Sequence, residues 1–202
     1  MPKVGVEAVR KDALVRAAIG AIGEVGSLDV TVAAIARRAG VSAALAHHYF
    51  GSKDTLFLAA MRRILEDFGR SVQAGYHRCR TPRERIHAVI EACFDEEQFD
   101  PAVVSAWLSF YVMAQRSPEA ARLLAVYRKR LDSNLVHALK ALVPDADARR
   151  IADGIAAMID GYYIRAALRA PTVDRSAAVA QVTSCLNVHL ASSPSHAETE
   201  TA

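Results

Sequence analysis

Residues 42–53 read SAALAHHYFGSK, and their polar side chains are of kinds that bind rather than react. His47, His48 and Tyr49 offer flat donor–acceptor groups, Ser42 and Ser52 offer hydroxyls, and Lys53 adds a positive charge; no carboxylate interrupts them. Such a set can hydrogen-bond base edges and phosphate oxygens. Ala43 and Ala44 come first and are small enough to let a helix approach a base pair closely. A plainer reading makes His47 and His48 ordinary surface histidines and places Tyr49 and Phe50 in a core.

Presenting these groups takes two short helices and a tight turn. Thr31 can cap the first helix, with Ile35 and Ala36 facing inward and Arg37 and Arg38 in water. Gly40 stands where a helix must stop in a conformation with positive φ, and Val41 fills the corner. Ser42 can cap a second helix, Ala43 to about Phe50. Helix, glycine turn, helix is the pattern of a helix-turn-helix, whose second helix enters the DNA major groove. The same pattern also occurs in helical bundles with no nucleic-acid role. A preceding helix, Glu7 to about Val25, repeats Leu14, Ala18 and Ile22 at four-residue spacing, widened by Ala17 and Ala21, and stops at Gly26. It supplies the third wall of a small head. Lys3, Arg10 and Lys11 could reach phosphate from its start, or form a solvated basic face.

Charge separates this head from the remainder. The chain has 202 residues and a net charge of +3, and the seven cations and four anions up to residue 53 account for all of that excess. Phosphate neutralisation asks for such an excess. With 52% hydrophobic but only 6% aromatic residues, the composition favours helices, and the expected fold class is all-α with about nine helices. No apolar run is as long as a membrane span, and MPKVGVEAVRK lacks a signal peptide's apolar stretch, so a cytoplasmic chain with no membrane partner is expected. Cys79, Cys93 and Cys185 suit reduced thiols better than disulfides or a metal site, and no cofactor is expected. The chain has no GxSxG, P-loop, HExxH or CxxC, and His87 and His137 stand alone, so it is not read as an enzyme.

Beyond the head, a long helix from Ser52 to about Arg78 turns Leu56, Phe57, Ala60, Ile64 and Phe68 inward. Thr81-Pro82-Arg83-Glu84 is a capping box with proline in the first turn, opening a helix that buries Ile86, Val89, Ile90, Cys93 and Phe94. Asp100-Pro101 and Ser117-Pro118 open the next two helices. Two more run from about Ala148 to Ala170 and from about Asp174 to Leu190. The polar end, residues 192–202, is expected to be a disordered tail.

Taken together, IARRAGVS, the following HHYFGSK and Leu56 resemble the DNA-binding signature of TetR-family transcriptional regulators, and the likeness extends over nearly the whole chain. Within that family, MPKVGV, GVS…HYF and IDGYYIRAAL resemble the choline-responsive repressors of glycine betaine synthesis. The resemblance implies a homodimeric repressor in which residues 1–52 bind a palindromic double-stranded operator. Residues 53–191 would then hold a small effector, choline, and the dimer contact. By position, Ser42, Ala43, Ala44, His47, His48 and Tyr49 fall at the DNA-facing helix, and Thr31 and Lys53 at its phosphate-contacting ends. His47 stands where the family often has tyrosine, and Ala43 where others have lysine or asparagine. Base reading then rests on His48, thymine-methyl contacts and DNA shape.

Two further surfaces are expected. Ile151, Ile155 and Ile159, with Ala152, Ala156, Gly154 and Gly161, form one stripe; Ala178, Val182, Cys185, Leu186 and His189 form a second. Two such helices per subunit would build a four-helix dimer contact, unless both stripes are buried within one subunit. Half-sites would lie about 34–36 Å apart or a multiple of that. For the effector, Trp107, Phe110 and Tyr111 share one side of a helix, Phe94 and Phe99 precede them, and Tyr162 and Tyr163 follow Asp160. A quaternary ammonium has no N–H to donate, so it is held by aromatic faces and a carboxylate such as Asp160 or Asp95. The alternatives are a plain hydrophobic core and, with no pocket at all, an architectural DNA binder.

Overall fold

The computed structural model describes residues 4–168 and 173–193. Every regular element among them is a helix: α1 (Val4–Val25), α2 (Val32–Arg38), α3 (Ala43–Phe50), α4 (Lys53–Tyr76), α5 (Pro82–Cys93), α6 (Pro101–Ala114), α7 (Pro118–Leu139), α8 (Asp145–Ala167) and α9 (Arg175–Ser192). None is long and apolar enough to cross a membrane. The tail expected to be disordered lies, from residue 194 on, outside the described residues.

Local chemistry explains where the helices begin. Thr31 accepts a hydrogen bond from the Ala34 N–H (3.1 Å) and Ser42 from that of Leu45 (3.2 Å), satisfying N–H groups that a helix leaves open. At Thr81 the capping box is closed in both directions, with Glu84 accepting from the backbone of Thr81 (3.0 Å). Between α2 and α3, Gly40 has φ +68°, and the Val41 N–H reaches back to the Ala36 carbonyl at 3.0 Å. This closure turns the chain sharply, and a side chain at Gly40 would strain it.

The chain divides into two compact units. One comprises Met1–Glu66 and Asp100–Leu123, the other Asp67–Phe99 and Leu124–Ala202. This compactness does not follow the functional division expected at residue 52, because α1 lies along α6. In the first unit α1 also packs against α2 and α3, and the expected stripe of Leu14, Ala17, Ala18, Ala21 and Ile22 is buried with Ile35, Ala36 and Ala46. In the second unit α9 packs on α8 and α5.

One expectation is overturned here. Ile151, Ile155 and Ile159 of α8 and Ala178, Val182 and Leu186 of α9 are each no more than 1% exposed within a single chain. These apolar residues therefore bury within the subunit and cannot meet a second copy, whereas Gly154, Ala156, Gly161, Cys185 and His189 of the same stripes stay at least partly exposed. The most apolar face of a helix gains most from water exclusion, and the subunit's own core takes it first. What α8 leaves exposed includes Gly154, Ala157 and Ile164 beside the charged Arg149, Arg150, Asp153 and Arg165, and what α9 leaves exposed includes Ala177, Ala180, Ser184 and Val188 beside Arg175, Gln181 and Asn187.

Candidate nucleic-acid interface and effector pocket

The head presents α3 outward. His47, His48 and Ala44 are exposed, Ala43 is half-buried, and Ala46 alone on this helix is buried. The imidazoles are thus available to a partner, not covered by protein. Tyr49 and Phe50 are half-buried, so neither is a core aromatic. The Tyr49 ring lies against that of His48 (centroids 5.7 Å apart) and beneath the Lys11 ammonium at 5.4 Å. A cation over an aromatic face is attracted by the ring quadrupole, so Lys11 steadies Tyr49. His47 Nδ1 is 3.4 Å from the Gly51 carbonyl.

The capping hydroxyls of Thr31 and Ser42 use lone pairs on the backbone, leaving each O–H proton able to donate to a phosphate oxygen. The head's cations are less uniform than their sequence suggests. Lys11 pairs with Glu7 (2.7 Å), Arg38 with Glu24 (2.5 Å) and Arg16 with Asp12. The Lys53 ammonium donates to the Leu28 carbonyl (3.0 Å) and lies over the Phe57 ring, so in the absence of DNA it braces the head. Arg10 and Arg37 are exposed and form no ion pair among the described residues. The Arg37 signal was present in the sequence as the first of two adjacent arginines on α2; what distinguishes it from Arg38 is the reach of Glu24. Lys3 lies outside the described residues.

The expected effector residues fall into two groups, one in each unit. In the second unit Phe99, Tyr162 and Tyr163 gather around the buried Phe94, with centroids 5.3, 5.8 and 6.2 Å from its ring. Phe99 and Tyr163 also meet edge-on at 5.4 Å. The Tyr163 hydroxyl donates to the Cys93 carbonyl (2.5 Å) and reaches that of Gln98 at 3.2 Å, fastening the segment after α5 to α8. Two carboxylates stand near this cluster. Burial pushes the Cys93 thiol up, and the neighbouring charges of Asp160 and Asp95 push it further. Asp95 accepts from the Gln98 N–H at 2.7 Å and from the Ser71 hydroxyl. Asp160 also lines an open cleft of about 560 Å³ with Tyr127, Asp132, Asp153 and Ala156. In the first unit Trp107 (3% exposed) and Phe110 (1%) are core residues of α6, and Tyr111 lies 5.7 Å from the indole. Phe94 is the residue that sequence reasoning undervalued: three rings meet on it, which spacing along one helix could not reveal.

Comparison with known proteins adds three kinds of match. Residues 14–60 match the family model for bacterial regulatory proteins of the tetR family, and residues 82–191 match that for the C-terminal part of BetI-type transcriptional repressors. The HTH-type transcriptional regulator BetI of Brucella suis is 52% identical over 195 residues, covering 96% of this chain and 98% of that protein. That of Agrobacterium fabrum is 50% identical over 194 residues, covering 96% and 94%. Among solved structures, a transcriptional regulator of Saccharomonospora viridis in complex with choline superposes with a TM-score of 0.76 at 22% identity, over 90% of this chain and 95% of that one. At that identity the likeness concerns the fold.

Proposed function

The chain belongs to the TetR family of transcriptional regulators, and we propose that it is a choline-responsive repressor of the genes that convert choline to glycine betaine. The observation that carries this reading is an outward α3 with exposed imidazoles, together with an aromatic cluster flanked by two carboxylates elsewhere in the chain. Residues 1–52 act as the reading head and residues 53–191 as the effector and dimer domain. The site of action is the cytoplasm. His47, His48 and Tyr49 face base edges, and Ala43 and Ala44 permit close approach and contact thymine methyls. Thr31, Ser42, Arg37 and Arg10 meet phosphates, joined by Lys53 when DNA competes for its ammonium.

Dimerisation uses the small-residue face of α8 and α9. Gly154 and Gly161 have open space where a side chain would stand, so a second copy's helices can come close. For the effector, Phe94, Phe99, Tyr162 and Tyr163 supply ring faces and edges, and Asp95 and Asp160 the counter-charge. The solved Saccharomonospora viridis neighbour binds choline, which supports this ligand class.

A gel shift on the DNA upstream of the gene, with and without choline, tests the reading. A coupling of about 1–3 kcal/mol would weaken operator binding roughly 5- to 150-fold. Specific binding that choline leaves unchanged would remove the choline assignment and leave a regulator answering to another small ligand.

A further inference from the structure

In the first unit a groove of about 600 Å³ runs between the turn after α1 and the outer face of α6. Its floor is apolar: Leu28 from the turn, and Leu108, Val112 and Met113 from α6. Val112 is 52% exposed there, an unusual place for a large aliphatic side chain. Asp29 and Asp54 stand at the rim, neither paired with a lysine or arginine among the described residues, against one cation, Arg116. Ser109 also lines the groove. The residue is only 8% exposed, and its side chain forms no hydrogen bond among the described residues. A helical serine usually returns its proton to the carbonyl one turn earlier; the Ser109 hydroxyl instead stays open to the groove.

We propose that this groove is a second small-molecule site, separate from the aromatic cluster, for a primary or secondary alkylammonium with a short apolar chain. The chain would cover Leu28, Leu108, Val112 and Met113. An ammonium N–H would donate to Ser109 Oγ, and the positive charge would be met by Asp29 and Asp54. A quaternary ammonium cannot make the bond to Ser109, so the groove separates amines from the trimethylated cations that suit aromatic faces. The turn that lines it leads directly into Thr31 and α2, and Lys53 holds the Leu28 carbonyl of that turn. An occupant would therefore fasten the head's own turn to α6 and give the regulator an input from amines as well as from choline.

Isothermal titration of the full chain with hexylamine tests the site, using hexyltrimethylammonium and hexanoate as comparators at equal ionic strength. With choline held at saturation to fill the aromatic cluster, one saturable hexylamine site per chain is expected, with at least tenfold weaker binding of hexyltrimethylammonium and none of hexanoate. Val112→Trp, at a half-exposed position, should abolish hexylamine binding while leaving the melting temperature and the choline response of operator binding unchanged. Ser109→Ala should weaken hexylamine several-fold and leave hexyltrimethylammonium unaffected. Hexylamine binding that survives Val112→Trp, or hexanoate bound as well as hexylamine, overturns the proposal. Loss of the choline response in the unmodified chain would count against the aromatic-cluster reading instead.

Discussion

At the residue scale, Arg37 and His48 illustrate how similar exposure can serve different ends. Both are exposed on the head, but one carries a permanent charge and the other a ring able to donate and accept. Arg37→Ala should weaken operator and random DNA alike and reduce the slope of log K against log salt by about 0.9 for each phosphate that is no longer neutralised. His48→Ala should lower operator affinity by about 1–3 kcal/mol per base read and leave random DNA nearly unaffected. Fluorescence anisotropy over a salt series separates the two; parallel losses on both DNAs for His48→Ala would count against base reading by that ring. The ion pairs matter here. Because Lys11 and Arg38 already have carboxylate partners, their contribution to DNA affinity is an exchange of one anion for another.

Helices and their junctions pose a different question, which two glycines of α1 answer oppositely. A β-carbon on Gly23 would lie 2.3 Å from the Ala102 Cβ and 2.4 Å from its Cα, so α1 and α6 would have to separate. Gly23→Ala should cost about 1–3 kcal/mol in urea denaturation, as overpacking does. On Gly20 the same atom would meet only the Arg38 guanidinium, at 2.8 Å, and that side chain can move aside. Gly20→Ala should therefore be neutral or stabilising by up to about 1 kcal/mol, the difference in helix propensity between the two residues. At the start of α5, the backbone N–H groups of Arg80 and Thr81 hold the Glu84 carboxyl below its ordinary value of 4.5. A depressed folded value means that the capping contribution is complete above pH 4.5 and is lost as the pH falls through the folded value. Melting curves from pH 7 to 3 should show Glu84→Gln losing less stability than the parent below pH 4.5.

For the molecule as a repressor, the exposed face of α8 and α9 decides whether two heads can act together. Ala157 lies on that face, between Gly154 and Gly161. Ala157→Glu would bury like charges against each other across a two-fold axis without disturbing the subunit. Sedimentation should show monomers, and operator affinity should fall at least a hundredfold, because linked heads gain a large effective concentration at the second half-site. A dimer that persists would place the contact elsewhere.

Much of this protein was determined by its sequence alone. Caps at Thr31, Ser42, Thr81 and Asp100, the glycine at 40 and the four-residue apolar spacings are local signals, and local hydrogen bonds and φ preferences act on them before any tertiary contact forms. The helix-turn-helix was legible for the same reason: its two helices are joined by only four residues. Tertiary structure alone decided which apolar stripe would be spent inside the subunit. Ile151, Ile155 and Ile159 looked like a face for a second copy, yet α8 and α9 bury them at home. Likewise it alone brought Phe94, Phe99, Tyr162 and Tyr163 together, and set the hydroxyl of the largely buried Ser109 on the wall of an open groove. Periodicity shows that a face must be covered, but what covers it depends on contacts between residues distant in the chain, which no short stretch of sequence encodes.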